Sequence, residues 1–154
     1  ALEVLPISRM TEAKAYYHDI YSAIAPTCQK EPRVLLEYPM TQDTKDINIV
    51  TNLTYRTQAM LASLEHRCML VNGYMGYAPM DYERYEQVLT DSVNRNLPDI
   101  FWRLIAEKDV RFIKLSKIDL YPDKVATVSA ILKANKNVVI LRDTDQYLMA
   151  EVRR

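Results

Sequence analysis

The stretch VRFIKLSKIDLYPDKVATVSAILKANKNVVILRDTDQYLMAEV, residues 110–152, decides the fold that the sequence predicts. Short runs rich in β-branched residues follow one another in it and are typical of strands. These strands are expected at residues 110–121, 125–132, 138–141 and 147–152. Compact turn sequences separate them at residues 121–124, 135–137 and 143–145. Because connections this short join neighbouring antiparallel strands, the stretch predicts a four-stranded antiparallel meander.

The residues before the meander carry a helical pattern. Apolar side chains recur there at three- and four-residue spacing, which predicts four helices. The helices are expected at residues 7–24, from about 44–54 to 71, 81–94 and 99–108, with a brief strand at 33–38. We therefore predict a single α+β domain over residues 1–154, with a helical part at about 7–108 and a sheet part at 110–152. The helices are expected to cover one face of the meander, which could curl into a cone or cleft.

The composition is ordinary for a globular protein and restricts its partners. Of the 154 residues 49% are hydrophobic, and twenty basic residues balance twenty acidic ones. Since nucleic-acid-binding domains normally have a strongly basic face, no nucleic-acid partner is predicted. Only Lys114 and Lys117 with Arg153 and Arg154 could form a small basic patch. Two glycines are too few for a Gly-rich phosphate loop, and no uncharged apolar run is long enough to span a membrane.

The two cysteines, Cys28 and Cys68, predict one disulfide. An even, low cysteine count in a small chain favours an oxidising compartment. The sequence begins at Ala1 without a methionine, which we interpret as a processed or trimmed form, produced either by removal of a signal peptide or by an engineered truncation. A periplasmic or secreted location is therefore predicted. The alternative is a pair of unlinked buried thiols in a cytoplasmic protein.

No arrangement of residues in the sequence is typical of catalysis or of a metal site. His18 and His66 are the only histidines, and His66 and Cys68 are two residues apart, which on a helix places them on different faces. The motif Asp143-Thr144-Asp145 is more typical of a hairpin turn than of a calcium loop. We therefore predict no metal, no cofactor and no catalytic residue.

Tyrosine and methionine are concentrated around residues 68–85 and form a flexible, amphipathic segment of the kind that binds partners. The interaction surface is predicted to comprise Tyr74, Met75, Tyr77, Met80, Tyr82 and Tyr85. The first functional hypothesis is a non-enzymatic exported interaction protein with a protein partner. It could be an accessory component of an envelope or secretion assembly, or an inhibitor or immunity partner. The other interpretation is that these residues fill an ordinary core edge.

The second hypothesis belongs to a different class. It is a small-molecule-binding domain or acid–base enzyme with a pocket between helices and sheet. Its predicted pocket residues are Tyr17, His18, Tyr21 and Trp102, with Tyr82 and Tyr85 as further lining. An apolar cavity that holds a few convergent polar groups would favour this hypothesis.

Overall fold

The computed structural model describes residues 19–41, 43, 49–71 and 80–154. Within these residues, helices and strands alternate along most of the chain. The elements are α1 (Ala25–Lys30), β1 (Val34–Tyr38), α2 (Ile49–His66), β2 (Met69–Leu70), α3 (Met80–Asn94), α4 (Pro98–Glu107), β3 (Val110–Ser116), α5 (Pro122–Ala134), β4 (Val138–Asp143) and β5 (Tyr147–Val152). Residues 19–21 are also helical.

The strands of the described residues form one mixed sheet in the order β2-β1-β3-β5-β4. Strand β1 lies parallel to both of its neighbours, so that Val34 pairs with Met69 on one side and Val110 on the other. Strand β5 is antiparallel to β3 and β4. The predicted four-stranded antiparallel meander is therefore present only in part, because residues 125–132 form no strand and β1 and β2 add parallel pairs to the sheet.

Helices cover both faces of this sheet, whereas the sequence analysis expected them on one face. Side chains alternate between the two faces along each strand. On β1, Leu36 and Tyr38 join the core cluster formed with α3, α4 and α5. Leu35 points the other way, into a second cluster with α1, α2 and the residues just before α1. The central strands β1 and β3 are consequently buried on both sides.

Residues 122–134 form helix α5, where the sequence analysis predicted a turn and a strand. Pro122 lies in the first turn of the helix, where its missing N–H costs no hydrogen bond. Asp123 at the start and Lys133 at the end complement the helix dipole. Val128 and Ile131 lie on one buried face. The prediction of a strand was wrong because a short apolar run, here rich in β-branched residues, is compatible with both helical and strand periodicity.

Other predicted elements agree with the structure. Helices α3 and α4 start and end within one residue of the predicted bounds, and β4 and β5 form the expected hairpin around residues 143–147. Helix α2 ends at His66, earlier than predicted, and Arg67 has the left-handed φ of 62° that ends a helix. Pro26, two residues beyond the predicted end of the first helix, lies in the first turn of α1. Most of the first predicted helix, residues 7–18, lies outside the described residues.

The two cysteines meet on the face of the sheet that α1 and α2 cover. The Sγ atoms of Cys28 on α1 and Cys68 before β2 are 2.06 Å apart, which is the distance of a covalent bond. Both side chains are buried in the second core cluster. The bond joins positions 40 residues apart and links α1 to the segment between α2 and β2. The pairing predicted from the sequence therefore agrees with the structure.

We predict that replacing both cysteines by alanine lowers the free energy of unfolding by about 4 kcal/mol, because the bond closes a long loop in the unfolded chain. Urea unfolding of the wild-type and Cys28→Ala/Cys68→Ala proteins, followed by Trp102 fluorescence, measures the difference. Reductant should destabilise the wild-type protein and leave the double variant unchanged. Equal unfolding midpoints for the two oxidised proteins would contradict the prediction.

Candidate functional site

The connections that leave β1 and β3 diverge to opposite faces of the sheet. After β1 the chain enters α2, which packs with the cluster that contains Ala62. After β3 it enters α5, whose Val128 packs in the other cluster. Adjacent parallel strands whose connections diverge leave a crevice at their carboxyl ends, and ligands of open α/β sheets bind in such crevices. The topology alone therefore indicates where a site could lie.

A cavity of about 120 Å³ occupies this place. We call it the β1–β3 cavity. Its walls come from the residues before α1, from α2, from the ends of β1 and β3 and from the start of β5. The lining residues are Ile20, Tyr21, Glu37, Tyr55, Gln58, Ala59, Lys114, Ser116, Ile118, Asp119, Gln146 and Tyr147.

Glu37, Tyr21 and Lys114 form a polar cluster in this cavity. Glu37 on β1 is only 3% exposed, and Lys114 is its register partner on β3. The Tyr21 hydroxyl donates a hydrogen bond to the Glu37 carboxylate. The Lys114 ammonium donates to the Tyr21 hydroxyl at 3.1 Å and lies 3.9 Å from Glu37 Oε1. Each charge thus has an opposite charge and a hydroxyl group beside it.

The cluster is costly to bury and is fixed by its neighbours. Removing a carboxylate and an ammonium from water costs several kcal/mol each, which their attraction offsets only when geometry and hydrogen bonds are good. Here both strands hold the pair in register, and the Tyr21 hydroxyl is hydrogen-bonded to both partners, while the Tyr21 ring lies beside Lys114. Its centroid is 5.1 Å from Lys114 Nζ. The arrangement is therefore rigid, as a binding site requires.

A second polar group lies across the cavity, beyond the end of β3. The Ser116 hydroxyl donates to the Asp119 carboxylate at 2.5 Å. On α2, the Tyr55 hydroxyl donates to the Pro39 carbonyl at 2.7 Å. Burial raises the pKa of Tyr55 well above its ordinary value, and the carboxylates of Glu37 and Asp119 raise it further. Tyr55 is consequently a neutral hydrogen-bonding group at the edge of an acidic site.

His66 lies behind Tyr21, between the polar cluster and the cysteines. Its ring centroid is 4.5 Å from that of Tyr21, and its side chain is fully buried. The Cys68 backbone N–H donates to His66 Nδ1 at 2.9 Å, so the neutral ring carries its proton on Nε2, which has no hydrogen-bond partner among the described residues. Burial lowers the pKa of His66 to about 4, and the Lys114 ammonium contributes to this lowering.

The predicted pocket residues that the structure describes lie on different faces of the sheet. Tyr21 lines the β1–β3 cavity. Trp102 packs edge-on against Phe101 in the core of the other face, so it cannot share a pocket with Tyr21. Tyr17 and His18 lie outside the described residues. Of the predicted pocket residues that the structure describes, only Tyr21 therefore lines the β1–β3 cavity.

The predicted interaction surface is described only in part. Tyr74, Met75 and Tyr77 lie outside the described residues, and Met80 is described only as the first residue of α3. Tyr85 is buried in the core, where its hydroxyl donates to the Leu104 carbonyl at 2.9 Å. Tyr82 is partly buried and packs against the same core.

Sequence reasoning did not single out Glu37 or assign Lys114 to a site. The signal that could have found them is a charged residue inside each of two largely apolar strands, Glu37 in VLLEY and Lys114 in VRFIKLS, which also contains Arg111. Lys114 was considered only as part of a basic patch with Lys117. Lys114 lies beside Glu37, and Lys117 pairs with Asp143 at 2.5 Å.

The chemistry available in the cavity is that of hydrogen bonding, charge and proton transfer. Within the described residues, no three His, Cys, Asp or Glu side chains are grouped closely enough to hold a metal ion. Glu37 and Asp119 can accept hydrogen bonds, and Lys114 can donate them.

Comparisons with known proteins give no family for this chain. No protein-family model, no curated protein sequence and no solved structure matches it. Among the residues that the structure describes, no helix is long and apolar enough to cross a membrane.

We predict that His66 makes the fold sensitive to acid. Its pKa is about 4 in the folded protein against an ordinary value of 6.5, so the unfolded state takes up the proton first. The free energy of unfolding should be unaffected above pH 6.5 and should fall by about 3 kcal/mol as the pH decreases to about 4. Urea unfolding across this pH range measures the effect.

The matched variant is His66→Asn, because an asparagine oxygen can accept the Cys68 N–H in place of Nδ1 without titrating. Carboxylates titrate in both proteins, so the difference between their pH profiles isolates the histidine. Parallel profiles between pH 6.5 and 4 would show that His66 does not titrate as proposed.

Proposed function

We propose that this domain binds a small polar molecule in the β1–β3 cavity. The observation that supports this proposal is the Glu37–Tyr21–Lys114 cluster, a buried carboxylate and ammonium in a cavity at the carboxyl ends of two parallel strands. Small-molecule sites are concave, largely apolar and hold a few convergent polar groups. The cavity is more polar than this, but it brings the side chains of Glu37, Lys114 and Asp119 together in one concave site.

The energetics favour a functional role for the cluster. An ion pair that served only to hold β1 against β3 could be replaced by apolar side chains at no loss of stability, because desolvation offsets most of its attraction. The neighbouring pairs of the same two strands, Leu35 with Phe112 and Leu36 with Ile113, are apolar. The charged pair Glu37 and Lys114 occupies the register position that faces the cavity. Interaction with a ligand explains its presence there better than strand pairing does.

Binding is favoured over acid–base catalysis. The Tyr21 hydroxyl already donates a hydrogen bond to Glu37 and accepts one from Lys114, so it serves to orient the groups around it. A general acid or base would need to reach a reacting atom directly. We therefore propose that the cavity recognises a ligand and does not catalyse a reaction.

We further propose that the protein acts in an oxidising compartment, in the periplasm or outside the cell. The support is the buried pair of Cys28 and Cys68 at bonding distance, since such bonds persist where thiols are not kept reduced.

Filling the cavity should abolish binding without unfolding the protein. Ala59 on α2 is buried and lines the cavity, so Ala59→Met directs a longer side chain into it. Thermal-shift measurements on a panel of small amines, carboxylates, amides and sugars would identify ligands of the wild-type protein. We expect each ligand that stabilises the wild-type protein to lose its effect on Ala59→Met.

The control is Ala126→Met, the same change at an exposed position of α5, which should keep the response. If no compound of the panel stabilises the wild-type protein at millimolar concentration, the proposal fails. It also fails if Ala59→Met responds as the wild-type protein does.

A second candidate is the exported interaction protein with a protein partner. One observation favours it: α2 exposes Leu61 and Leu64, 53% and 66% accessible, and the neighbouring edge strand β2 exposes Met69 at 51%. Residues three apart on a helix lie on one face. Exposed apolar surface at a sheet edge is typical of a docking site.

For this candidate we expect Leu61→Lys/Leu64→Lys to abolish a stoichiometric complex isolated from the native host under oxidising conditions. The lysines replace apolar contact by charge and should leave thermal stability nearly unchanged, since both positions are exposed. Ala126→Lys is the control on the opposite helical layer. Retention of the same complex by the double variant would exclude this face as the interface.

A further inference from the structure

The segment of residues 19–30 forms one wall of the β1–β3 cavity and carries one of the two cysteines. Ile20 and Tyr21 line the cavity, and Cys28 follows on α1. All three side chains are buried in the second core cluster. The bond to Cys68 ties the segment to the residues between α2 and β2. The disulfide therefore restrains the position of this wall.

The other end of the disulfide also leads to Tyr21. The Cys68 backbone N–H donates to His66 Nδ1 at 2.9 Å, and the His66 ring centroid lies 4.5 Å from that of Tyr21. The Tyr21 hydroxyl is in turn hydrogen-bonded to Glu37 and Lys114. Tyr21 is thus connected to the disulfide along two routes, through α1 and through His66.

Tyr21 also separates the β1–β3 cavity from a second pocket. This pocket, which we call the α1–α2 pocket, has a volume of about 340 Å³ and lies between α1 and the end of α2. Its lining residues are Tyr21, Ser22, Ala25, Pro26, Gln29, Glu65 and His66. Because the Tyr21 side chain lines both spaces, its displacement would join them. The shape of the β1–β3 cavity consequently depends on where the segment holds Tyr21.

The polar contacts that the structure describes at the two ends of the segment are weak. Arg142 pairs with Asp19 at 3.2 Å, and the Gln29 amide donates to the Glu65 carbonyl at 3.3 Å, both at exposed positions. Exposed contacts of this kind contribute little to stability. Helix α1 has six residues, and helices this short are not stable in isolation. The disulfide therefore supplements the apolar burial of the segment and the hydrogen bonds of Tyr21.

The opposite face of the sheet is held without the cysteines. The first core cluster joins α3, α4 and α5 to the sheet and contains neither of them. On α3, the Ser92 side chain is 1% exposed, and its hydroxyl donates to the Leu89 carbonyl at 2.6 Å. Proteins open locally in cooperative units. Loss of the disulfide should therefore loosen the wall of the cavity more than the opposite face.

We propose that oxidation of Cys28 and Cys68 completes the β1–β3 cavity, and that the reduced protein keeps its sheet but releases Tyr21 from the cavity wall. This inference rests on the proposed function and names the regulation of its site. Forming the bond removes two electrons and two protons from the two thiols, and a disulfide oxidant accepts them and becomes two thiols. The cavity is then complete only where such an oxidant is present, as in the compartment proposed above.

The bond is protected once it has formed. Thiol–disulfide exchange requires direct attack of a thiolate on one of the two sulfur atoms. Both cysteines are buried, so a reductant reaches them only after α1 has moved away from the sheet. Oxidation therefore acts as a step of maturation that sets the cavity once, and not as a rapidly reversible switch.

The test measures access to the cavity and needs no ligand. Ala59 is buried and lines the cavity, so Ala59→Cys places a reporter thiol there. The rate of its reaction with dithionitrobenzoate is compared between oxidised Ala59→Cys and Cys28→Ala/Cys68→Ala/Ala59→Cys. Mass spectrometry of a digest verifies that Cys28 and Cys68 remain paired in the first protein. We expect faster reaction without the disulfide, because a buried thiol reacts at the rate that local opening allows.

Ser92→Cys is the matched control, since position 92 is also buried and lies on the opposite face. General destabilisation accelerates both reporter thiols alike and leaves the ratio of their rates unchanged. We expect the ratio of the position-59 rate to the position-92 rate to rise at least about tenfold when Cys28→Ala/Cys68→Ala is added. An unchanged ratio, including the case in which the variants without the disulfide do not fold, would overturn the inference.

A second measurement uses the unaltered sequence. Hydrogen exchange is followed by mass spectrometry for the oxidised protein and for the protein refolded in dithiothreitol. Peptides from residues 19–30 should lose at least about tenfold more protection on reduction than peptides from α4. Equal loss of protection in both regions would show that the disulfide stabilises the whole fold without controlling the cavity wall.

The ligand panel separates this inference from the proposed function. A compound that stabilises the oxidised wild-type protein in the thermal-shift measurement should not stabilise Cys28→Ala/Cys68→Ala. A full response of that double variant would refute control by oxidation and leave the binding function in place. Absence of any response from the oxidised wild-type protein would refute the proposed function, and the ratio of reporter rates would still decide whether the disulfide controls the cavity.

Discussion

The central constraint in this protein is the burial of β1 and β3 on both faces. Leu35 and Leu36 are both fully buried although they point in opposite directions, and Phe112 and Ile113 repeat the arrangement on β3. Strands covered on both faces have no solvent side on which a charge could be placed without cost. Glu37 and Lys114 therefore have to compensate each other, and the parallel register of the two strands brings them side by side.

The same constraint links the cavity to the cysteines. Tyr21 contacts the Glu37–Lys114 pair on one side and the ring of His66 on the other. His66 in turn accepts the backbone N–H of Cys68, which is joined to Cys28 on α1. Polar cluster, histidine and cysteine pair thus form one continuous layer under α1 and α2. A change in any one of them can be expected to move the others.

Some elements could be predicted because their signals are local. Pro98 marks the start of α4, and the short turn at residues 143–147 joins β4 and β5. Helix α5 could not be predicted, because Val125, Thr127 and Val128 favour strands by propensity, while Pro122 and the burial of Val128 on one face favour the helix. Packing against the sheet decided between the two, and packing is not visible in a local pattern.

The same distinction between local signals and packing applies to the residues of the candidate site. The sequence predicted Tyr21 as a pocket residue and a bond between Cys28 and Cys68, since aromatic character and cysteine count can be read from the sequence without knowledge of the fold. It could not reveal that Glu37 meets Lys114, because their approach depends on β1 inserting next to β3 across a long intervening chain.

Taken alone, the sequence determined the bounds of α3 and α4 to within one residue and the final hairpin, because periodicity, prolines and turn residues are local signals. It named Cys28 and Cys68 as the candidate pair and left unlinked thiols as the alternative, and the structure places the two Sγ atoms at bonding distance. Only the tertiary structure decided the strand order, the second helical layer and the β1–β3 cavity. Those depend on contacts between residues distant in the chain, and such contacts are selected by the burial of the whole sheet.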